Sequence, residues 1–382
     1  SCYFRRVFTG IQAFGTFFTG TRFPRDHSRK QAEKNNGEVE GKEKYMEKYI
    51  DNQAMQQARK HWDSIAHPLH GLGTMEDIVV QIAGITGNPE VNLAKKSVLI
   101  FCGDNGISET KVSQSDSTVT AMVADELAEG KSSVNKMAAV AGASVKCIDV
   151  GIKDETHSDK IIDRKVVHGT KNFLKEPALT VDQAKKSIEA GTHEVKETDA
   201  DIIAVGEMGI ADTTCASIIT ASLLNLTADQ VTGRGAGLDN DGFLFKKSVI
   251  ESQIHHGEEP LELLARIGGT EIGAMTGAFI GGALYHTPTV ADGAVSLTAA
   301  LLAERLCPGV KDTIIASNSG REKMSGVIIE ELGLKPVIHA DISLGEGTGA
   351  VMLFPLLDQT LAVYNGAHSF DGMELEPYKR LN

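Results

Sequence analysis

The chain is 382 residues long, 41% hydrophobic and 23% charged, with a formal net charge of -13. So acidic a balance argues against general nucleic-acid binding, which needs clustered lysine and arginine against phosphate. It leaves room for a small anionic ligand held by local positive potential.

The first 25 residues, "SCYFRRVFTGIQAFGTFFTGTRFPR", contain no acidic residue, and a polar "DHSRKQAEKNNGEVEGKEK" follows. Acid-poor, arginine-containing leaders occur in transit peptides. The preferred reading is an extension or linker over 1–45, expected to be disordered, in front of a domain that starts near Met46. No run approaches the ~20 apolar residues that cross a bilayer, so no membrane partner is expected.

From Met46 the pattern predicts a helix to about residue 66, then a turn and a second helix in "HPLHGLGTMEDIVVQIAGITG". Beyond that point, short β-branched runs alternate with helical patterns. "KSVLIFCG", "VKCIDVGI" and "ADIIAVGEMGI" read as buried strands, and "TPTVADGAVS", "DTIIASNSG" and "KPVIHADISLGEG" repeat the theme. "TVTAMVADELAEG", "SSVNKMAAVAGA" and "TVDQAKKSIEAGTHEVKE" read as helices, the last opened by Thr180 as N-cap. Strands separated by helices imply an α/β fold with a mainly parallel sheet covered on both faces. Ligands of such sheets lie outside the carboxyl ends of the strands, and nearly every strand here ends in small or polar residues.

Cys102, Cys147 and Cys215 lie in apolar runs without metal spacing, which suits reduced, buried thiols, a reducing compartment and a cytoplasmic protein. The twelve histidines are scattered, which makes a metal site unexpected, and no GxSxG motif marks a serine nucleophile.

Four constellations remain. In "VGEMGIADTTCASIITASL", Gly206 and Gly209 allow close approach of a ligand, Thr213 and Thr214 serve as caps or anion donors, and Glu207 points into the crevice; a plain glycine-rich turn capped by Asp212 fits equally well. "GRGAGLDNDGFLFKKSVIE" is a glycine-rich loop with Arg234, Asp239 and Lys246 near a helix start, where Lys246 on its own reads as a surface lysine. "DTIIASNSGREKMSG" offers Ser317, Asn318 and Ser319 with Arg321 nearby. In "SLGEGTGA", Glu346 between Gly345 and Gly347 is either a helix-start residue stabilised by the dipole or a carboxylate doing chemistry. Two glutamates at strand ends in phosphate-friendly loops suggest a crevice with an anion at one end and a proton acceptor at the other.

"GEMGIADTT", "GRGAGLDNDG", "EPLELLARIGGTEIGAMTGAFIGGA", "TVADGAVSLTAALLA" and "SLGEGTGAVMLFPLLD", in that order, resemble the nicotinate-nucleotide–dimethylbenzimidazole phosphoribosyltransferase family, over about residues 50 to 366. The resemblance implies a three-layer α/β domain over 91–350. It also implies a smaller helical domain from both chain ends, 46–90 and 351–382, and a homodimer. It implies transfer of phosphoribose from nicotinate mononucleotide to a benzimidazole-type base, without metal or cofactor. Glu346 becomes the general base. Glu207 and Met208 lie near the base and nucleotide. Gly209, Thr213, Thr214, Lys246, Ser317 and Ser319 surround the phosphate. Ser115 covers the base, Leu344 packs on its ring, and Gly345 and Gly347 shape the turn.

Three departures from the family pattern stand out: Ala211-Asp212 where Gly-Asn is usual, "ASNSGREK" for "ASHRSAE", and Met122-Val123 where a glutamine is common. The more apolar pocket widens the expected acceptors to purines, other benzimidazoles or phenols. The rival readings are a heterodimer subunit using such acceptors and a non-catalytic nucleotide-binding protein.

Overall fold

The computed structural model describes residues 49–379, so the expected leader and linker over 1–45 lie outside the described residues. Six strands form one all-parallel sheet in the order β3-β2-β1-β4-β5-β6. They are β1 (Lys96–Gly103), β2 (Ala143–Gly151), β3 (Ile162–Asp163), β4 (Ile202–Met208), β5 (Thr289–Ala291) and β6 (Ile314–Ala316). The chain winds outward from β1 in one direction to β3, then returns to lay β4 on the other side of β1. That reversal leaves a crevice between neighbouring strands at their carboxyl ends.

The strands are apolar on both faces because both are covered. Val98, Ile100 and Cys102 of β1, with Ile202 and Ala204 of β4, share one core with the helices α1 (Asn52–Ser64), α2 (Thr74–Thr86), α3 (Thr118–Ala128), α4 (Ser133–Val140) and α13 (Thr348–Gly366). The alternate residues, Leu99 and Phe101 of β1 and Ile203 and Val205 of β4, are fully buried on the opposite face. Helix α5 (Val181–Glu197), α10 (Thr270–Tyr285) and α11 (Ala294–Leu306) cover that side. Thr180 caps α5 as expected, accepting from the Gln183 N–H at 3.2 Å, while Gln183 returns a side-chain oxygen to the Thr180 N–H at 2.9 Å.

α10 is buried on every side, which explains its nearly continuous run of small and apolar residues. Its backbone meets α5 directly: a Cβ on Gly191 would stand 1.7 Å from the Ala274 carbonyl oxygen. The remaining helices are α6 (Asp212–Leu224), α7 (Ala228–Val231), α8 (Asn240–Gln253), α9 (Pro260–Ile267) and α12 (Lys323–Leu332). At the chain's far end α13 returns to α1, where Tyr364 packs on Trp62 with ring centroids 4.9 Å apart. Lys96 at the foot of β1 pairs with Asp358 of α13 at 2.7 Å.

One expected strand is absent. Residues 335–347 form irregular chain, with one isolated bridge between Asn318, just past β6, and Ile338. Only Val337 and Ile338 are adjacent apolar residues there, and both stay half-buried, so nothing drives the segment into a central strand. The sixth strand is the two-residue edge β3 instead.

Candidate active site

A cleft of about 260 Å³ opens at the carboxyl ends of β4, β5 and β6, beside the strand reversal. Five carboxylates line it: Glu207, Asp212, Asp292, Glu322 and Glu346. Of the described residues lining it, only Arg321 has a cationic side chain. Buried polar atoms without a partner gather in the same walls: Asn318 Oδ1, Glu322 Oε2, Ser325 Oγ and Glu346 Oε2. Buried polar groups are normally satisfied within the protein. Four orphans on residues that line one cleft mark a place built to meet a ligand.

Glu346 sits in an unusual turn. Gly345, Glu346 and Gly347 all have left-handed backbone, with φ of 84°, 57° and 79°. Glycine adopts this freely, whereas a glutamate there costs about 1–3 kcal/mol unless its surroundings hold it. Asp292 supplies that hold. Its carboxylate accepts the Gly347 N–H at 3.2 Å and the Ala350 N–H at 3.1 Å, taking up orphan donors at the start of α13. Burial raises Asp292 to about 6, against the lowering effect of those N–H groups. Gly206 of β4 lets the turn pass: a Cβ there would lie 2.5 Å from the Gly347 nitrogen. Glu346 itself is half-buried, and desolvation holds its carboxyl above the ordinary carboxylate range.

Across the turn lies Glu207, close enough that a Cβ on Gly345 would come within 3.1 Å of its Oε1. Burial and the neighbouring charge of Asp212 push Glu207 well up, and the two carboxyls are hydrogen-bonded. Burial raises Asp212 too, but the bond opposes that rise while it adds to the rise of Glu207, so Glu207 carries the proton and donates to the Asp212 carboxylate. Ala211, left-handed at φ 71°, precedes α6, and Asp212 is the first helical residue rather than the cap. Lys246 also departs from expectation. It lies in the middle of α8, is only 1% exposed, and donates from Nζ to Thr213 Oγ1 at 2.8 Å. Burial lowers its pKa, opposed by Glu322 and Asp212.

Glu207, Met208, Gly209, Thr213, Leu344, Gly345 and Glu346 thus meet at one cleft. Gly347 lies just behind them on Asp292. Thr214 is fully buried and does not line the cleft. Ser115 is outside the lining, and Ser113 on the same loop occupies it. Ser317 is fully buried, its hydroxyl donating to the Ala291 carbonyl at 2.7 Å and accepting from Asn318 Nδ2 at 2.9 Å. Ser319 is half-buried beside the lining, its backbone N–H on the Ile338 carbonyl at 3.1 Å. Arg234 and Asp239 serve their own loop: Arg234 donates to the Leu238 carbonyl at 2.8 Å, and Asp239 caps α8 through the Gly242 N–H at 2.8 Å.

Sequence reading missed Asp292 and Glu271. Glu271, in the first turn of α10, is fully buried beneath Gly209 and accepts from Asn105 Nδ2 at 2.9 Å. Burial, then the charge of Asp212, raises it to about 8. Its only signal in the sequence was an acidic residue after "GGT", which any helix start could show.

A family profile described as "Phosphoribosyltransferase" matches residues 48–374. The chain is 38% identical over 339 residues to nicotinate-nucleotide–dimethylbenzimidazole phosphoribosyltransferase of Clostridium acetobutylicum, covering 87% of this chain and 96% of that protein. The protein of the same name in Chloroflexus aggregans is 35% identical over 329 residues, covering 84% and 93%. The crystal structure of CobT from Thermus thermophilus superposes with a TM-score of 0.81 at 31% identity, covering 85% of this chain and all of that one.

Proposed function

The chain belongs to the nicotinate-nucleotide–dimethylbenzimidazole phosphoribosyltransferase family, and from that membership we propose that it transfers phosphoribose from nicotinate mononucleotide to 5,6-dimethylbenzimidazole or a related base. The products are nicotinate and an α-ribazole 5′-phosphate, a step in activating the lower ligand of cobalamin.

Glu346 is the base in this reading. The observation that carries it is a half-buried carboxylate in a three-residue left-handed turn at the cleft, with one oxygen buried and unpartnered. Such an oxygen is free to accept a proton, and its raised pKa makes it a stronger base than an exposed glutamate. As Glu346 takes the N–H proton of the benzimidazole, the other ring nitrogen forms a bond to C1′ of the ribose. The bond from C1′ to nicotinate breaks, its electron pair neutralising the pyridinium nitrogen. Glu207 and Asp212, sharing one proton, keep a single negative charge near a ribose that becomes cation-like. Leu344 and Met208 give the base an apolar surface.

In the same reading residues 46–90 and 351–382 make up a small helical part, whose helices α1, α2 and α13 share a core with β1 and β4 of the 91–350 catalytic part. The enzyme works as a homodimer in the cytoplasm. The buried thiols of Cys102, Cys147 and Cys215 suit such a reducing compartment.

Incubating the full chain with nicotinate mononucleotide and a panel of bases tests this. Chromatography is expected to show free nicotinate appearing with an equal amount of base–ribose phosphate, most from benzimidazoles. No product with any base rules the reaction out for this chain alone.

A further inference from the structure

The serines expected to hold the phosphate are badly placed for it. Ser317 spends its hydroxyl on the Ala291 carbonyl and Asn318, and neither it nor Ser319 lines the cleft. Other residues of the stretch between β6 and α12 and of the first turns of that helix do line it, Ser325 and Arg321 among them. Ser325 lines the cleft though it is completely buried, and its hydroxyl has no partner. Gly320 makes the opening for it: left-handed at φ 62°, it carries no Cβ where one would stand 3.0 Å from Ser325 Oγ. Arg321 lines the same wall, exposed, and its guanidinium makes no ion pair or hydrogen bond among the described residues. A guanidinium fork takes a carboxylate or a phosphate in two parallel bonds.

We propose that Ser325 and Arg321, in place of Ser317 and Ser319, hold the phosphate of the nucleotide at this end of the cleft. The inference rests on the reading that the substrate is a mononucleotide.

Charge balance supports it. Asp212 and Glu322 line the cleft where Lys246 reaches Thr213, so the Lys246 charge is already opposed by two carboxylates. A phosphate entering there needs a further cation, and Arg321 is the one that lines the wall. Ser325 adds a rigid donor whose orientation is fixed by the first turns of α12, where its N–H reaches the Glu322 carbonyl at 3.0 Å. Binding a phosphate also satisfies a hydroxyl that otherwise remains orphaned in the interior.

The test compares nicotinate mononucleotide with nicotinate riboside, which lacks only the phosphate, at a fixed benzimidazole concentration. Variants of the full chain are Arg321→Gln, Arg321→Lys and Ser325→Ala. Loss of a charge-assisted bond predicts a fall of about 10- to 100-fold in kcat/KM for the mononucleotide in Arg321→Gln, mostly through KM. Loss of a neutral bond predicts about fivefold in Ser325→Ala. Reaction of the riboside is expected to stay unchanged within error in both, and Arg321→Lys to recover part of the loss. An equal fall for both substrates, or no fall for either, overturns the assignment while leaving the transfer reaction intact.

If the unaltered chain transfers nothing, the reaction is refuted and calorimetric titration with inorganic phosphate decides separately. Binding that weakens in Arg321→Gln, a surface change that spares the fold, upholds the anion site. Absent binding, or binding indifferent to Arg321, removes it.

Discussion

Glu207 and Glu346 line one cleft, each next to glycine, each a few residues ahead of a helix. Their surroundings separate them. Glu207 hangs from β4, is hydrogen-bonded to Asp212, and keeps its proton because a second buried negative charge beside it is prohibitive. Glu346 rides on a strained turn outside the sheet, held from behind by Asp292, with an oxygen that meets nothing in the protein. Both carboxyls are raised, yet by different causes: a neighbouring charge adds to burial at Glu207, and burial acts alone at Glu346. One is set up to donate a hydrogen bond and the other to accept a proton. Environment divides the roles that residue type leaves equal.

Isosteric amides break the comparison where it is sharpest. Glu346→Gln removes the proton acceptor and keeps the shape, so kcat with a benzimidazole is expected to fall about 10²- to 10⁴-fold. Because the carboxylate must be ionised to act, the rate of the parent protein rises with pH through a value above the usual carboxylate range, and that limb is lost in the variant. Glu207→Gln retains a donor toward Asp212, so a decrease of only about tenfold is expected, a share of one oriented hydrogen bond. The acidic limb of the pH profile survives in it. Steady-state rates over a pH series measure both, and equal losses from the two changes erase the distinction.

These two glutamates were legible in the sequence because glycines flank them at places where apolar runs end. The rest of the site was not, and the reasons differ residue by residue. Lys246 reads as a surface lysine because α8 is polar overall, and only the tertiary fold turns it inward to Thr213. Asp292 stands after a three-residue strand, too short to show a period, and its partners on α13 are more than fifty residues away. Ser325 lies among ordinary helix residues, and its orphaned hydroxyl is a property of packing alone. The fold divides the same way. β1, β2 and β4 are seven to nine residues long and declare themselves through apolar runs. "KPVIHADISLGEG" resembles a strand through Val337 and Ile338, but the exposed His339 and Asp341 give a sheet nothing to bury.

Gly345→Ala crowds the two glutamates. The added methyl must adopt φ near 84° and come within 3.1 Å of Glu207 Oε1. A loss of about 1–2 kcal/mol in stability is expected from the backbone alone. The crowding displaces Glu207 as well, so the Glu207→Gln effect on rate shrinks when both changes are present. A double-mutant cycle on kcat measures that coupling, and strict additivity denies that the two glutamates share the cleft's geometry.

The smallest effect on activity is expected beneath the cleft, at Glu271, and there the consequence is for stability against pH. Its folded pKa is raised from the ordinary 4.5 to about 8, so the folded protein binds a proton that the unfolded chain releases above its lower pKa. Stability changes with pH as the difference in protons bound between unfolded and folded states, and that difference is negative here between the two values. The contribution of this residue is therefore complete at pH 4 and declines as pH climbs toward 8, beyond which the charge is buried at full cost. Glu271→Gln keeps an oxygen for Asn105 Nδ2 and removes the ionisation. Thermal melts from pH 5 to 9 are expected to show a flatter profile in the variant, with Tm above that of the parent at pH 8 and matching it near pH 5. A parent profile as flat as the variant's means that Glu271 titrates as an ordinary carboxylate, and the buried proton is then absent from the floor of the site.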